Sequence, residues 1–380
     1  MPTNLLFTSW YTGLGGGETD LLSLAAELDP QRYTPHLLLP REGQLGARWR
    51  QLGYPVHQTH WRGASTFFVP QIWTRFPVVQ RIADLIDQHQ IALVHSNYHT
   101  LPMAYAAARK RSIPIMWTVH GWWFKPKFWQ RQFFRQIDAQ IARSMSIRDG
   151  FLGQPPFLPV EQLPVIYSGV DTARFHPDAD ALLLRETLQI APETPVIAMI
   201  ARFQKVKGHH VFQEMAREVA QVFPDAVFLV AGEEVFGVAA DTRYRQMILQ
   251  NAEQDPLLRD RLRYIGFRDD IEHVYAAADV VVCASEFESY GKANIEAMAC
   301  GKPVVSTNQG GPGETIADGD TGYLVPADDA PALARRVVEL LANPDERRRL
   351  GENGRLRAET MFSAAATATK YSAIFEALLR

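Results

Sequence analysis

The chain has 380 residues, 47% hydrophobic and 21% charged, enough apolar side chain for two or three ordinary cores and too much for a small stapled module. Its formal net charge of −3 supplies no overall positive field, which argues against nucleic acid as a partner. Cys283 and Cys300 lack a C-x-x-C spacing and read as small buried hydrophobes in a reducing compartment.

No run of about eighteen apolar residues occurs, and residues 1–8 lack the basic-then-apolar pattern of a secretory leader. A cytoplasmic protein is the expectation. Short apolar runs alternate with amphipathic helical stretches over nearly the whole length. The run LLF at 5–7 precedes a glycine loop and the helix-like ETDLLSLAAEL; HLLL at 36–39 precedes a helical stretch from Gln44; IALV at 91–94 precedes LPMAYAAARK. After a proline-rich passage at 153–164 and a loop holding Pro177, Pro192 and Pro195, the pattern restarts with VIAMIA, a helix from His209, then VFLVAG, RYIGF, VVVCA and PVVST. Such alternation predicts mostly parallel sheets covered on both faces, in two doubly wound α/β domains with a boundary between Gly169 and Pro195. The stretch 345–380 is helical by pattern. Ligands of such sheets bind beyond the carboxyl ends of the strands, and two sheets facing each other make a central cleft.

The segment 284–307, ASEFESYGKANIEAMACGKPVVST, reads as the end of a strand, a loop at 285–290, a helix from Lys292 to Cys300, a glycine stop and the next strand. Glu288 lies in the loop and Glu296 inside the helix, about 7 Å along the axis from Gly291. That spacing suits a bipartite ligand, with a diphosphate on the amides at the helix start and sugar hydroxyls on the carboxylates. A solvated Glu288 and a surface-paired Glu296 are the plainer reading. Arg202 and Lys207 follow the first strand of the second series, where two cations suit an anion; an ordinary basic loop is the alternative. GLGGGE at 13–18 departs from the G-x-G-x-x-G spacing and says only that backbone comes close to something there. His120 ends a strand-like run without a second ligand at suitable spacing, and His209 and His210 are adjacent, so no zinc site is indicated.

Together these residues resemble the retaining, GT-B-type glycosyltransferases of family four, the glycosyl transferases group 1. The matching pieces, in the family's order, are the GGGE loop, His120, SGVDTARFHP at 168–177, Arg202 with Lys207 and Gly208, the block from Asp279 to Glu296 with its E-x7-E pair, GGPGETI at 310–316 and DGDTGYLV at 318–325. The resemblance implies an α/β GT-B fold of two doubly wound Rossmann-like domains facing a central cleft. Residues 1–172 form the acceptor-side domain, 173–362 the nucleotide-sugar donor domain, and 363–380 a helix returning to the first domain. It implies a metal-independent hexosyltransferase that moves a sugar from a UDP- or GDP-linked donor to a glycan or lipid-linked acceptor with retained configuration. No cofactor is implied beyond the nucleotide-diphosphate sugar as co-substrate. On the same resemblance, Arg202 and Lys207 hold the diphosphate, Glu296 the ribose hydroxyls and Glu288 the sugar, with the amides of Tyr290, Gly291, Lys292 and Ala293 beside it. Gly15 and Gly16 let the first domain's loop meet the phosphates, and His120 contacts the sugar near the reacting carbon. Ser168 stands where many members carry Asn. A nucleotide-sugar epimerase and a non-enzymatic nucleotide-sugar binder are the alternatives.

Asp318 and Asp320 form a D-x-D of the kind that binds metal in a different glycosyltransferase fold, and here read as turn chemistry. Residues 122–135 interleave aromatics with Lys125, Lys127, Arg131 and Arg135. A helix starting at Pro126 stacks the last three cations in one stripe, with Trp129 and Phe133 on another face. Such a helix either rests at the inner face of a membrane as a peripheral contact or packs into the core with snorkelling cations. Trp61, Phe67, Phe68, Trp73 and Phe76 add a second aromatic cluster.

Overall fold

In the computed structural model, Leu5, Leu6 and Phe7 are wholly buried in the first strand, β1 (Thr3–Thr8). Burial on both faces is why its sequence shows no polar alternation. The structure describes residues 1–60, 76–121, 126–233 and 238–380. The chain divides into two units, Met1–Gly169 with Ala364–Arg380, and Val170–Ser363.

The first unit continues with α1 (Gly16–Glu27), β2 (Tyr33–Leu39), α2 (Gln44–Gln51), β3 (Val56–Gln58), α3 (Pro77–Gln88), β4 (Ile91–Ser96), α4 (Leu101–Lys110), β5 (Ile115–Val119), α5 (Phe128–Phe134), β6 (Ala139–Ala142) and α6 (Met145–Leu152). Its six strands are all parallel, in the order β3-β2-β1-β4-β5-β6. Side-chain alternation divides the core. Leu6, Leu38 and Val94 point to the face covered by α3 and α4, whereas Leu5, Phe7, Leu37 and Leu39 point to the face covered by α1 and the last helix, Ala364–Leu379. Phe375 of that helix meets Phe7 edge-on at 6.4 Å and Tyr33 at 5.8 Å.

The second unit holds α7 (Leu182–Thr187), β7 (Val196–Ile200), α8 (His209–Val222), β8 (Val227–Ala231), α9 (Ala239–Gln254), β9 (Leu262–Gly266), α10 (Ile271–Ala277), β10 (Val280–Cys283), α11 (Lys292–Ala299), β11 (Val304–Thr307), α12 (Pro312–Thr315), β12 (Gly322–Val325), α13 (Ala330–Ala342) and α14 (Pro344–Met361). Its parallel order, β12-β11-β10-β7-β8-β9, repeats that of the first unit. In each, the first strand lies beside the fourth, so connections leave in opposite directions between them and open a crevice at the carboxyl ends.

The helical pattern over 345–380 is broken once. α14 ends at Met361, the Phe362 carbonyl accepts the Val170 amide at 2.8 Å, and a new helix starts at Ala364. No helix among the described residues is long and apolar enough to cross a membrane.

The aromatic and basic segment departs from expectation. Its helix starts at Phe128, with Lys127 as cap, and the cations do not form a free stripe. Arg131 turns back to the Pro126 carbonyl and Arg135 to that of Phe157. Phe133 is buried while Trp129 is exposed, so those two rings do not share one environment. Residues 122–125, and Trp61, Phe67, Phe68 and Trp73, lie outside the described residues.

Candidate functional site

The crevice of the second unit lies between the loops after β7 and β10. Val280 and Val281 pair with Ile197 and Ala198, so both loops leave the sheet side by side. The Glu286 amide donates to the Val206 carbonyl at 2.9 Å, which ties the loops backbone to backbone. Gly208 makes this approach possible. It holds φ at +72°, and a Cβ there falls 1.9 Å from the Ala284 carbonyl oxygen, so no other residue fits without moving the loop.

The approach brings two of the expected site residues together. The Lys207 ammonium lies 2.5 Å from Glu288 Oε2, with side chains only 19% and 16% exposed. Burial alone raises the Glu288 carboxyl, but the Lys207 charge and hydrogen bonds from Lys207 and the amides of Tyr290 and Gly291 outweigh it and hold it below the usual carboxylate range. Arg202 stands at the start of the same loop, exposed, its guanidinium without a hydrogen-bond or ion-pair partner among the described residues. Arg202 and Lys207 on this loop against Glu288 on the other leave a positive balance for an anion.

The Glu288 loop is held from behind by a segment whose glycines the sequence pattern left unexplained. The Glu288 amide donates to the Gln309 carbonyl at 3.0 Å, and the Glu288 carbonyl accepts the Gly311 amide at 2.8 Å. Gly310 has φ of +88°, and a Cβ on it lies 2.2 Å from the Glu288 carbonyl oxygen. A Cβ on Gly311 lies 2.4 Å from Tyr290 Cα. GGPGETI is thus a support for the acidic loop.

Gly291, Lys292 and Ala293 open α11, a helix with no side-chain cap. Its start therefore presents amides and the positive end of the helix dipole. One turn further, Glu296 accepts a hydrogen bond from the Tyr275 hydroxyl at 2.8 Å. Tyr275 is buried, which pushes its phenol well above the ordinary value and keeps it a donor. Nothing in the spacing of the sequence pointed to Tyr275.

Asp318 Oδ1 accepts the Leu324 amide at 2.8 Å and Asp320 Oδ1 accepts the Asn353 side-chain amide at 2.8 Å, around Gly319 at φ +75°. Asp318 closes the turn, and Asp320 ties it to α14. Cys300 is buried, Cys283 only partly so, and both are free thiols.

In the first unit, Gly15 caps α1 and Gly16 is its first residue. His120 follows β5 directly, and Gly17 faces it: a Cβ on Gly17 lies 3.7 Å from the His120 ring. Below the loop, Asp20 is buried with Arg143 at 3.2 Å and Ser168 donating at 2.8 Å. His95 bonds Thr118 at 2.8 Å, and Thr118 in turn meets the Tyr371 hydroxyl at 2.9 Å. Burial pushes the His95 imidazole down to about 3, helped by His120 and Arg143.

Two doubly wound units of identical strand order, each with a switch point between its first and fourth strands, define a GT-B-type α/β protein. The comparisons agree. The profile of Glycosyl transferases group 1 matches residues 182–357, and that of Glycosyltransferase Family 4 matches residues 14–174. Alpha-maltose-1-phosphate synthase of Mycolicibacterium smegmatis is 31% identical over 72% of this chain and 76% of its own length. The chain belongs to the group 1, family four glycosyltransferases. Other relatives match over a shorter share. N-acetyl-alpha-D-glucosaminyl L-malate synthase of Bacillus anthracis is 30% identical over 58% of this chain and 55% of its own, so the chain spans about half the length of several curated relatives. In fold, a glycosyltransferase from Rickettsia africae superposes with a TM-score of 0.85 at 21% identity, covering 100% of this chain and 99% of that one. Anabaena HepE, solved with UDP and glucose, gives 0.81 at 22% identity over 98% and 99%.

Proposed function

We propose that this protein is a retaining glycosyltransferase that moves a hexose from a UDP- or GDP-linked donor to a glycan or lipid-linked acceptor. The observation that carries this reading is the placing of Lys207, Glu288 and the exposed Arg202 on the two loops at one switch point. Arg202 and Lys207 take the diphosphate, the amides from Tyr290 to Ala293 line it, and Glu296, oriented by Tyr275, takes the ribose hydroxyls. His120, Gly15 and Gly16 of the first unit act on the sugar and phosphate side. Relatives named as synthases and transferases of sugars, and the UDP and glucose in Anabaena HepE, support transfer over epimerisation or mere binding.

Charge builds on the diphosphate as the glycosidic bond breaks, so the cations act mainly in the transition state. Glu288 is neutralised by Lys207 and two amides, which makes it a poor nucleophile and favours front-face attack, with the leaving diphosphate taking the acceptor's proton. The engagement of Asp318 with the Leu324 amide and of Asp320 with Asn353 supports catalysis without a metal at that site. Exposed Phe128 and Trp129, with Lys127 over the Trp129 ring at 5.1 Å, support peripheral contact with a membrane carrying a lipid-linked acceptor. A panel of nucleoside diphosphates in a thermal-shift titration tests the donor reading: UDP or GDP raises Tm in the wild type, and by less in Arg202→Ala with Lys207→Ala. A wild type stabilised by none of them overturns it.

A further inference from the structure

Three histidines from three elements of the first unit meet away from the carboxyl ends of its strands. His36 lies in β2, level with Leu6 in the middle of β1; His57 lies in β3; His89 follows α3, and its carbonyl accepts the Asn4 side-chain amide at 2.7 Å near the start of β1. The His36 and His57 rings are nearly parallel, at 9° with centroids 5.2 Å apart, and the His57 and His89 rings are 4.4 Å apart. One ring nitrogen of each lies within 4.8 Å of those of the other two. His36 Nδ1 and His57 Nε2, 2.9 Å apart, share a single hydrogen.

Three imidazole nitrogens converging on one point is the arrangement that borderline transition metals select, and among the described residues no carboxylate joins the group as Mg²⁺ or Ca²⁺ would favour. Zn–N bonds of about 2.0–2.1 Å set ligand nitrogens of a tetrahedral site about 3.3 Å apart, against 2.9 Å between His36 Nδ1 and His57 Nε2 and no more than 4.8 Å for any pair, so side-chain shifts of about 1 Å close the site. We infer that His36, His57 and His89 form a binding site for one divalent transition-metal ion of the zinc class, with water as fourth ligand. The hydrogen shared by His36 and His57 moves, through solvent, to the outer nitrogen of its ring, so all three imidazoles bind as neutral ligands and no proton is lost from them. The ion joins the three-residue edge strand β3 to β2 and to the end of α3. It therefore acts on the stability of the first unit, whereas Arg202, Lys207 and Glu288 belong to the second.

The test uses tag-free full-length protein stripped with EDTA and titrated with Zn²⁺ or Co²⁺ alone. The expected result is one equivalent bound per chain, tetrahedral-type visible absorption with Co²⁺, and a Tm raised by Zn²⁺ but not by Mg²⁺. Losing a ligand costs at least what losing a ligand's hydrogen-bond partner costs, so His57→Ala and His89→Ala each weaken binding by about tenfold or more. His36, nearly fully buried, is left in place so that both variants keep the sheet. No saturable binding, or affinities in both variants equal to wild type, overturns the proposal. UDP binding is unchanged by the metal and by either substitution, so the two readings fail separately.

Discussion

Lys207 Nζ lies 2.5 Å from Glu288 Oε2, joining the loop after β7 to the loop after β10. Removing one partner leaves a buried charge uncompensated, which costs about 3–5 kcal/mol. Lys207→Met is therefore expected to lower the urea midpoint strongly, whereas Lys207→Met with Glu288→Gln recovers much of the loss. Because the folded Glu288 carboxyl is depressed, its contribution is complete above the ordinary glutamate range and is lost as pH falls through the folded value. Equal stability of the single and double variants contradicts the pairing.

Arg202 is exposed and has no partner among the described residues, so Arg202→Ala should leave unfolding almost unchanged. Its expected effect is on turnover: kcat falls by about 100-fold while the affinity for the nucleoside diphosphate changes far less. Steady-state kinetics with separate diphosphate titration decide, and an unaltered kcat removes the role.

Gly208→Ala introduces a Cβ into the space of the Ala284 carbonyl at a left-handed φ. A loss of several kcal/mol is expected, above the 1–3 kcal/mol of backbone strain alone, at about. Denaturant unfolding with an unchanged m-value measures it.

Tyr275→Phe deletes the donor to Glu296 while keeping the buried ring. The expected outcome is a donor KM raised about tenfold or more with kcat nearly kept, in line with roughly 1.5–3 kcal/mol for a hydrogen bond to a charged group. A fall in kcat at constant KM assigns Glu296 a different task.

Acid should destabilise the protein before its carboxylates titrate. His95 and His209 are buried neutral, each pushed down to about 3 chiefly by burial. Unfolding frees them to bind protons at about pH 6.5, so stability is full above that value and is lost as pH falls from there toward 3. Each contributes up to about 1.4 kcal/mol per pH unit in that window. His209→Phe, which keeps a ring against Phe203, is expected to flatten the profile between pH 6 and 4, at about those values.

The fold was legible because strands buried on both faces leave unbroken apolar runs such as VIAMIA and VVVCA, and the connecting helices carry their own stripe. Lys207 and Glu288 could be singled out because each follows a strand. What sequence could not show depends on parallel register: Gly310 behind Glu288, Tyr275 beside Glu296, and His36, His57 and His89 on three elements whose spacing along the chain carries no ligand signature. The basic stripe at 127–135 failed for a local reason, since a long guanidinium finds a nearby carbonyl before it finds solvent.

The close crossing of Gly169 and Ala364, where a Cβ on the glycine lies 2.4 Å from the alanine Cα, has a topological outcome. Val170–Ser363 departs from and rejoins the rest of the polypeptide at one point, its two ends already bridged by Val170 and Ser363. A cloned fragment of those residues carries its termini in contact, so it is suited to circularisation and to rearranged start positions without stretching any segment.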